Sequence, residues 1–322
     1  MSVLDTLSAD LRARLRRAPA PVWVEPMLAT LTDEPFSDPA WIYERKLDGV
    51  RLLCFRRGPR VRLLSRNEID YTTSYAPVAD ALSEQRIGDV VIDGEVVAFA
   101  GDRTSFELLQ RRGHQPVRLA FYAFDVLHLD GYDTRALPLR VRKRLLRDAL
   151  TFDGRLRFTS HRNREGEAAF EAACSSGWEG VIAKRADSTY QAGRSRDWLK
   201  FKCSAAQELV IGGWTDPQGA RNGLGALLVG YYEDGRLRYA GKVGTGFDAR
   251  TLHDLRARLD AIAAGTPPFA DRVREPRVHW VEPTLVAQVA FSEWTSDGRL
   301  RHPRFLGLRN DKVASDVVRE RS

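Results

Sequence analysis

The sequence predicts an α+β protein of two domains, a larger one built on antiparallel sheets and then a small β-barrel. Three observations carry this. The 322 residues suffice for about two domains. Between residues 41 and 99, strand-like runs follow one another through hairpin-length connections, which favour antiparallel neighbours. Near residue 205 the texture changes to about five strands with one helix after the third, the order of a small Greek-key barrel of the oligonucleotide/oligosaccharide-binding (OB) kind. The expected division is an N-terminal arm over 1–20, a first domain over 21–204 and a barrel over 205–322. The short, small-residue-rich stretch at 203–206 is the expected hinge.

The elements justify this in order. Residues 1–20 read as a charged amphipathic helix or arm ending at proline, more readily a packed helix or linker than a docking site. WIYERK, GVRLLCFRR, RVRLLSR and VVIDGEVVAF read as strands, interrupted by the helix SYAPVADALSEQ. TSFELLQRR is a short helix opened by Thr104 or Ser105, and VRLAFYAFDVLHL is a long buried strand. PLRVRKRLLRDAL is a helix with Pro138 at its start, and EGEAAFEAACSSG is one stopped by Gly177. GVIAKR and WLKFK are short strands. Beyond the hinge come QELVIGGWT, the pair within GALLVGYYEDGRLRYAGKVG, the helix DARTLHDLRARLDAIA, and the strands HWVEP, LVAQVAFSEWT and RLRHPRF.

Composition narrows the function. A net charge of +7 and a pI near 9.5 favour a polyanionic partner, nucleic acid first. No apolar run approaches the ~18 residues of a membrane span, and the N-terminus lacks the apolar core of a secretory signal. A cytoplasmic protein away from membranes is expected. Cys54, Cys174 and Cys203 are odd in number and far apart, so a disulfide framework is not expected. No CxxC or HxxxH pair suggests zinc. Of the 50 basic residues only seven are lysines: 46, 143, 184, 200, 202, 242 and 312. Lysine can lose its proton and act as a nucleophile, which arginine cannot.

Five stretches carry candidate chemistry. KLDG (46–49) taken alone is an Asp-Gly hairpin turn, a dipeptide this chain uses six times. In VVIDGEVVAF, alternation puts Asp93 and Glu95 on one face among apolar neighbours, costly unless they meet cations or a metal. In WEGVIAKR, Glu179 opens a strand that carries Lys184. In WLKFK, Lys200 and Lys202 share a face, an arrangement best tolerated where an anion bridges them. RHPRFLGLRNDK (301–312) is dense in cations but spaced with apolar anchors, as a folded segment is. GKVGTGFDA has the outline of a dinucleotide fingerprint but no βαβ unit follows, and no P-loop occurs.

In order, these pieces resemble the motifs of the covalent nucleotidyltransferases, the superfamily of ATP-dependent DNA ligases, RNA ligases and mRNA-capping enzymes. SRN (65–67) and FYAFD (121–125) fall in register between them. PMLATL, KCSAAQELVIGGWT, KVGTGF and the final RxPxFxxLRxDK are similar to the ligase module of bacterial non-homologous end-joining ligase D. The resemblance implies a nucleotidyltransferase domain (an ATP-grasp-like ligase fold) followed by an OB domain. It implies a monomer acting on nicked duplex DNA, with ATP and Mg²⁺ or Mn²⁺, and with Ku among possible partners. Lys46 would form the lysyl-AMP, Asp48 would orient it or a metal-bound water, and Lys200 and Lys202 would hold the α-phosphate. Glu179 would bind the metal, and Glu95 would bind either the metal or the ribose hydroxyls. Arg51 and Arg66 would contact ribose and phosphate or the nick's 5′-phosphate, Phe124 would stack on adenine, and Glu44 would meet its amino edge and favour ATP over GTP. Lys184 would line the nucleotide site. Arg309, Asp311 and Lys312 would align the leaving pyrophosphate, and Lys242 and Arg301 would track DNA. The rivals are an RNA ligase, a GTP-using capping enzyme, or a non-catalytic OB-type DNA-binding protein.

The residues themselves explain why position 46 is lysine. Attack on phosphorus needs a neutral amine, and a free lysine at pKa about 10.4 is protonated near neutrality. Cationic neighbours, Arg45, Lys200, Lys202 and a bound divalent ion, are expected to disfavour its charge if they converge on it.

Overall fold

The computed structural model of the chain describes residues 2–101, 103–110, 117–203, 205–217 and 223–320. Ser204 of the expected hinge, and the Arg111–Arg112 end of the expected TSFELLQRR helix, lie outside them. The chain divides into two compact units, Met1–Cys203 and Ser204–Arg321. No helix among the described residues is long and apolar enough to cross a membrane.

The first unit is built on two mainly antiparallel sheets. In one, the strands Leu119–Leu129, Val90–Ala100, Val50–Arg57 and Arg60–Ser65 lie side by side in that order. In the other the order is His161–Asn163, Trp41–Lys46, Gly180–Arg185, Gly193–Lys202 and Met27–Leu31. Alternation sorts each strand into two faces. Leu52, Cys54, Ile92, Val96, Phe121 and Ala123 pack into the main core, with Val78 and Leu82 from the helix Ala76–Ser83 and Leu145 and Leu146 from Leu139–Ala149. Tyr43, Val181, Ala183 and Phe201 pack on the outer side of the second sheet with Ala169 and Ala173 of the helix Gly166–Ser175. The N-terminal segment belongs to this unit, with Leu4 and Leu7 buried in its core and Arg16–Arg17 paired to Tyr132–Asp133.

Two expectations need correction. KLDG does not close a hairpin: the strand before it pairs only within the second sheet and the strand after it only within the first, so the chain crosses between sheets there. Gly49 permits that crossing, since a Cβ on it would stand 2.2 Å from the Val96 carbonyl oxygen. Second, Cys174 and Cys203 form a disulfide with their Cα atoms 5.2 Å apart, while Cys54 is free and buried. Spacing along the sequence hid this. The Cys203 N–H donates to the Glu179 carbonyl at 3.0 Å, which brings the end of the Lys202 strand back beside the end of the Gly166–Ser175 helix.

The second unit is a curved sheet of strands Ala206–Thr215, Leu227–Glu233, Arg236–Val243, Val278–Val281, Val286–Ala290 and Arg304–Leu308, with the helix Ala249–Asp260 after the third of these. Leu209, Ile211, Val229, Val243, Leu255, Val289 and Phe305 fill its interior. Asp248 caps the helix, accepting from the Thr251 N–H at 2.7 Å.

Candidate active site

The two sheets of the first unit face each other, and register decides what lies between them. On the second sheet Glu44 pairs with Ile182 and Ile182 with Lys200, while Lys46 pairs with Gly180 and Gly180 with Lys202. Lys184 and Trp198 form the next row. Because Tyr43, Val181 and Phe201 point outward, Glu44, Lys46, Lys184, Lys200 and Lys202 all share the inner face. From the first sheet Arg51, Glu95 and Tyr122 lie in one row, with Asp93 and Phe124 along the same two strands.

Lys46 forms an ion pair with the Glu179 carboxylate, and the side chains keep only 18% and 20% of their exposure. Burial alone disfavours the ammonium, but Glu179 first, then Glu95 and Asp48, outweigh it and raise the Lys46 pKa. This corrects the expectation that Arg45, Lys200 and Lys202 lower it: the side-chain charges that dominate around the amine are negative. Glu179 stands here because Gly180 follows it at φ 146°, where a Cβ would be 1.9 Å from the Phe201 carbonyl oxygen. Only glycine lets the Glu179 turn lie against the Lys200–Lys202 strand. Asp48 is tied into the crossing: its carboxylate accepts from the Phe106 N–H at 3.0 Å, at the start of the helix Phe106–Gln110. Thr104 Oγ1 accepts from the Asp48 N–H at 3.4 Å and from Arg45 at 3.3 Å, bracing both sides of Lys46.

Arg51 makes a bidentate bond to buried Asp93, at 2.9 and 2.5 Å, and donates to the Met27 carbonyl at 2.7 Å. Tyr190 donates to the same carboxylate at 2.7 Å and accepts from the Met27 N–H at 3.0 Å. Met27 belongs to the second sheet, so Asp93, Arg51 and Tyr190 clasp the sheets together. This satisfies the acidic pair's first member with a cation.

Glu44 is 3% exposed and held between two ammonium groups, Lys143 Nζ at 2.5 Å and Lys184 Nζ at 2.6 Å. Burial pushes its carboxyl pKa up, but Lys143 and then Lys184 more than offset this and it lies below the usual value. Lys184 sits 4.1 Å from both the Phe124 and Trp198 ring centres, and burial lowers its own pKa in spite of Glu44. Phe124 therefore has a cation on its ring and keeps only 7% exposure, whereas Tyr122, on the same face, is half-buried. Sequence reasoning passed over Tyr122, Ile182 and Lys143. The alternation that put Phe124 in the cleft also put Tyr122 there, and Ile182 lies midway between Gly180 and Lys184 on the same face. Lys143 carried no such signal. Arg66 lies in the tight turn that closes the strand Arg60–Ser65, where Ser65 Oγ accepts from the Asn67 and Ile69 N–H groups.

Glu179 and Glu95 offer hard oxygen donors beside Lys46 and suit a divalent ion that keeps water or phosphate ligands. Among the described residues no group of three or more metal-ligating side chains forms a protein-only cage.

In the second unit, Arg309 makes a bidentate bond to Asp311 at 2.9 and 2.7 Å, and Lys312 pairs with Glu208 at 3.0 Å. Burial opposes the Asp311 charge, but Arg309 and then Lys312 hold its pKa low. Lys242 and Arg301 are exposed and pair with Glu275 at 2.9 Å and Glu293 at 2.6 Å. Such surface pairs are weak enough for phosphate to displace.

A lysine–carboxylate pair and two further lysines, facing acidic and aromatic residues across two sheets in a chain that continues into an OB-type barrel, define the nucleotidyltransferase class. Within it, the family description "ATP dependent DNA ligase domain" matches residues 26–202, and "ATP dependent DNA ligase C terminal region" matches 220–312. The chain belongs to the ATP-dependent DNA ligase family. It is 38% identical over 322 residues to the multifunctional non-homologous end joining protein LigD of Pseudomonas aeruginosa, covering 95% of this chain and 38% of that protein. It is 42% identical over 303 residues to the corresponding Mycobacterium tuberculosis protein, covering 92% and 40%. The chain thus spans about two fifths of the length of these relatives. A solved structure of mycobacterial DNA ligase D complexed with ATP and MES is similar at 38% identity and a TM-score of 0.65, covering 92% of this chain and 98% of that one.

Proposed function

We propose that this chain is a DNA ligase that takes AMP from ATP onto Lys46, passes it to the 5′-phosphate at a nick, and seals the strand in double-strand break repair. The observation that carries this is the inner-face constellation around Lys46: Glu179 on its amine, with Lys200 and Lys202 on the adjoining strand. Ku and other end-joining proteins are the partners this reading offers, since the relatives are named for non-homologous end joining.

For the first step the Lys46 amine must shed its proton. Its pKa is raised chiefly by Glu179, so drawing Glu179 away from the amine makes the proton easier to lose to solvent. Glu179 would hold a divalent cation, Mg²⁺ or Mn²⁺, which would supply charge neutralisation on the phosphates. The amine then attacks the α-phosphorus; an N–P bond forms and the O–P bond to pyrophosphate breaks. Lys200 and Lys202 hold the non-bridging oxygens, and Arg309, Asp311 and Lys312 align the leaving group. Asp48 keeps the Lys46 turn in place. Glu44 accepts from the amino edge of adenine, and Tyr122 with Phe124 supplies aromatic surface. Glu95 serves either the metal or the ribose hydroxyls. Arg51 and Arg66 contact ribose and phosphate or the nick's 5′-phosphate. Lys242 and Arg301 track the duplex backbone without reading sequence. The 5′-adenylated nick is closed when its 3′-hydroxyl displaces AMP.

Intact mass after incubation with ATP and Mg²⁺ or Mn²⁺ tests the reading. The parent gains one AMP and Lys46→Ala gains none; an undiminished adduct in the variant removes the nucleophile. Adduct formation followed by sealing of nicked DNA separates a ligase from a protein that only binds DNA.

A further inference from the structure

Lys143 plays no part in the sequence motifs, yet it is 1% exposed. It lies on the buried face of the helix Leu139–Ala149 with Leu139, Arg142 and Leu146. A lysine so deep needs a reason. Its ammonium bonds Glu44 at 2.5 Å and the Thr159 carbonyl at 2.9 Å, and sits 4.6 Å from the Phe158 ring centre.

We propose that Lys143 is a positioning residue for nucleobase selection: by holding the Glu44 carboxylate ionised and fixed on the inner face, it makes the pocket accept a base that presents an amino group and reject one that presents a carbonyl. This rests on the reading that Glu44 meets the base. An ionised carboxylate only accepts hydrogen bonds, whereas a protonated one can donate to a carbonyl. Burial favours the protonated form. Lys184 also bonds Glu44, at 2.6 Å, but burial and then the neighbouring Lys143 disfavour its own charge. His161, opposite Glu44 in register, has its pKa lowered by burial and then by Lys143, so it adds no third charge near neutrality. Of the two cations on Glu44, Lys143 stands at 2.5 Å and acts more strongly on its charge. The hydroxyl of Thr159, whose carbonyl bonds Lys143, is buried and has no hydrogen-bond partner among the described residues.

The test offers equal ATP and GTP to the protein and reads the AMP and GMP adducts by intact mass. Lys143→Met should lower the AMP:GMP ratio by about tenfold or more, a change of roughly 1.4 kcal/mol in relative recognition. Lys143→Arg, which keeps the charge, should restore most of it. A folding defect lowers both adducts together and leaves the ratio where it was. If the Met variant does not accumulate, Lys143→Gln removes the charge but keeps a donor for Thr159, and must show the same fall. A ratio within about twofold of the parent, or no GMP adduct in the charge-removing variants, overturns the proposal. Glu44→Gln separates the two layers. If it leaves the ratio unchanged, the base-edge reading itself fails; if it collapses the ratio while the Lys143 variants do not, only this inference fails.

Discussion

Replacing Asp125 with Asn should cost the first unit about 3 kcal/mol of stability, at the lower end of the range for breaking a buried ion pair. The pair is bidentate, Arg142 Nε to Oδ1 at 2.8 Å and a terminal nitrogen to Oδ2 at 2.9 Å, and both side chains are 0% exposed. Asn keeps the shape and one acceptor but removes the charge. The guanidinium still donates to the carbonyls of Leu137 at 2.5 Å and Ser188 at 2.9 Å, so its N–H groups stay partly satisfied while its charge does not. A neutral hydrogen bond lost by itself would cost only about 1 kcal/mol. Equilibrium urea unfolding distinguishes the two: with a slope of roughly 1–3 kcal/mol per molar, the expected loss moves the midpoint by about 1 M or more. Asp125→Leu combined with Arg142→Leu should be less damaging than either alone, because no unpaired charge remains. A loss below about 1 kcal/mol for Asp125→Asn, or a double variant as unstable as the sum of the singles, refutes the reasoning.

Other consequences follow from the same geometry. Glu179 raises the Lys46 pKa, so Glu179→Gln lowers it; the acid limb of self-adenylation rate against pH should move to lower pH, whatever happens to the maximal rate, and a shift upward or none contradicts the ion pair's role. Lys312→Ala should slow self-adenylation but spare sealing of a pre-adenylated nick, and equal loss in both assays counts against a leaving-group role. Thiol titration of the unfolded, unreduced chain should find one free thiol, Cys54, and three after reduction; three without reductant would refute the Cys174–Cys203 bond. Duplex affinity should fall linearly with the logarithm of salt, and Lys242→Ala should flatten that slope by about one phosphate contact; an unchanged slope removes Lys242 from the DNA surface.

Much of the site was legible because β-structure has period two. Once WLKFK, GVIAKR and VVIDGEVVAF read as strands, the shared faces of Lys200 with Lys202 and of Asp93 with Glu95 followed without a tertiary model. The same rule covers Tyr122 and Ile182, whose uncharged side chains carry no separate signal of chemistry. The Asp-Gly after Lys46 misled in the other direction: a local hairpin signal cannot tell a turn within one sheet from a crossing between two. That difference lies in hydrogen bonds to strands more than a hundred residues away, at 161–163 and 180–185.

By itself, the sequence determined the two-part α+β organisation, the change of texture at the boundary, and which residue types stand ready for phosphate chemistry. These depend on local periodicity and on side-chain chemistry. Only the tertiary structure decided the charge around Lys46, the joining of Cys174 to Cys203, and the clamp of Lys143 on Glu44. Each depends on Coulomb energies and contacts that change over a few ångströms, and residues 46 and 179, 174 and 203, or 44 and 143 become neighbours only when the sheets and helices pack.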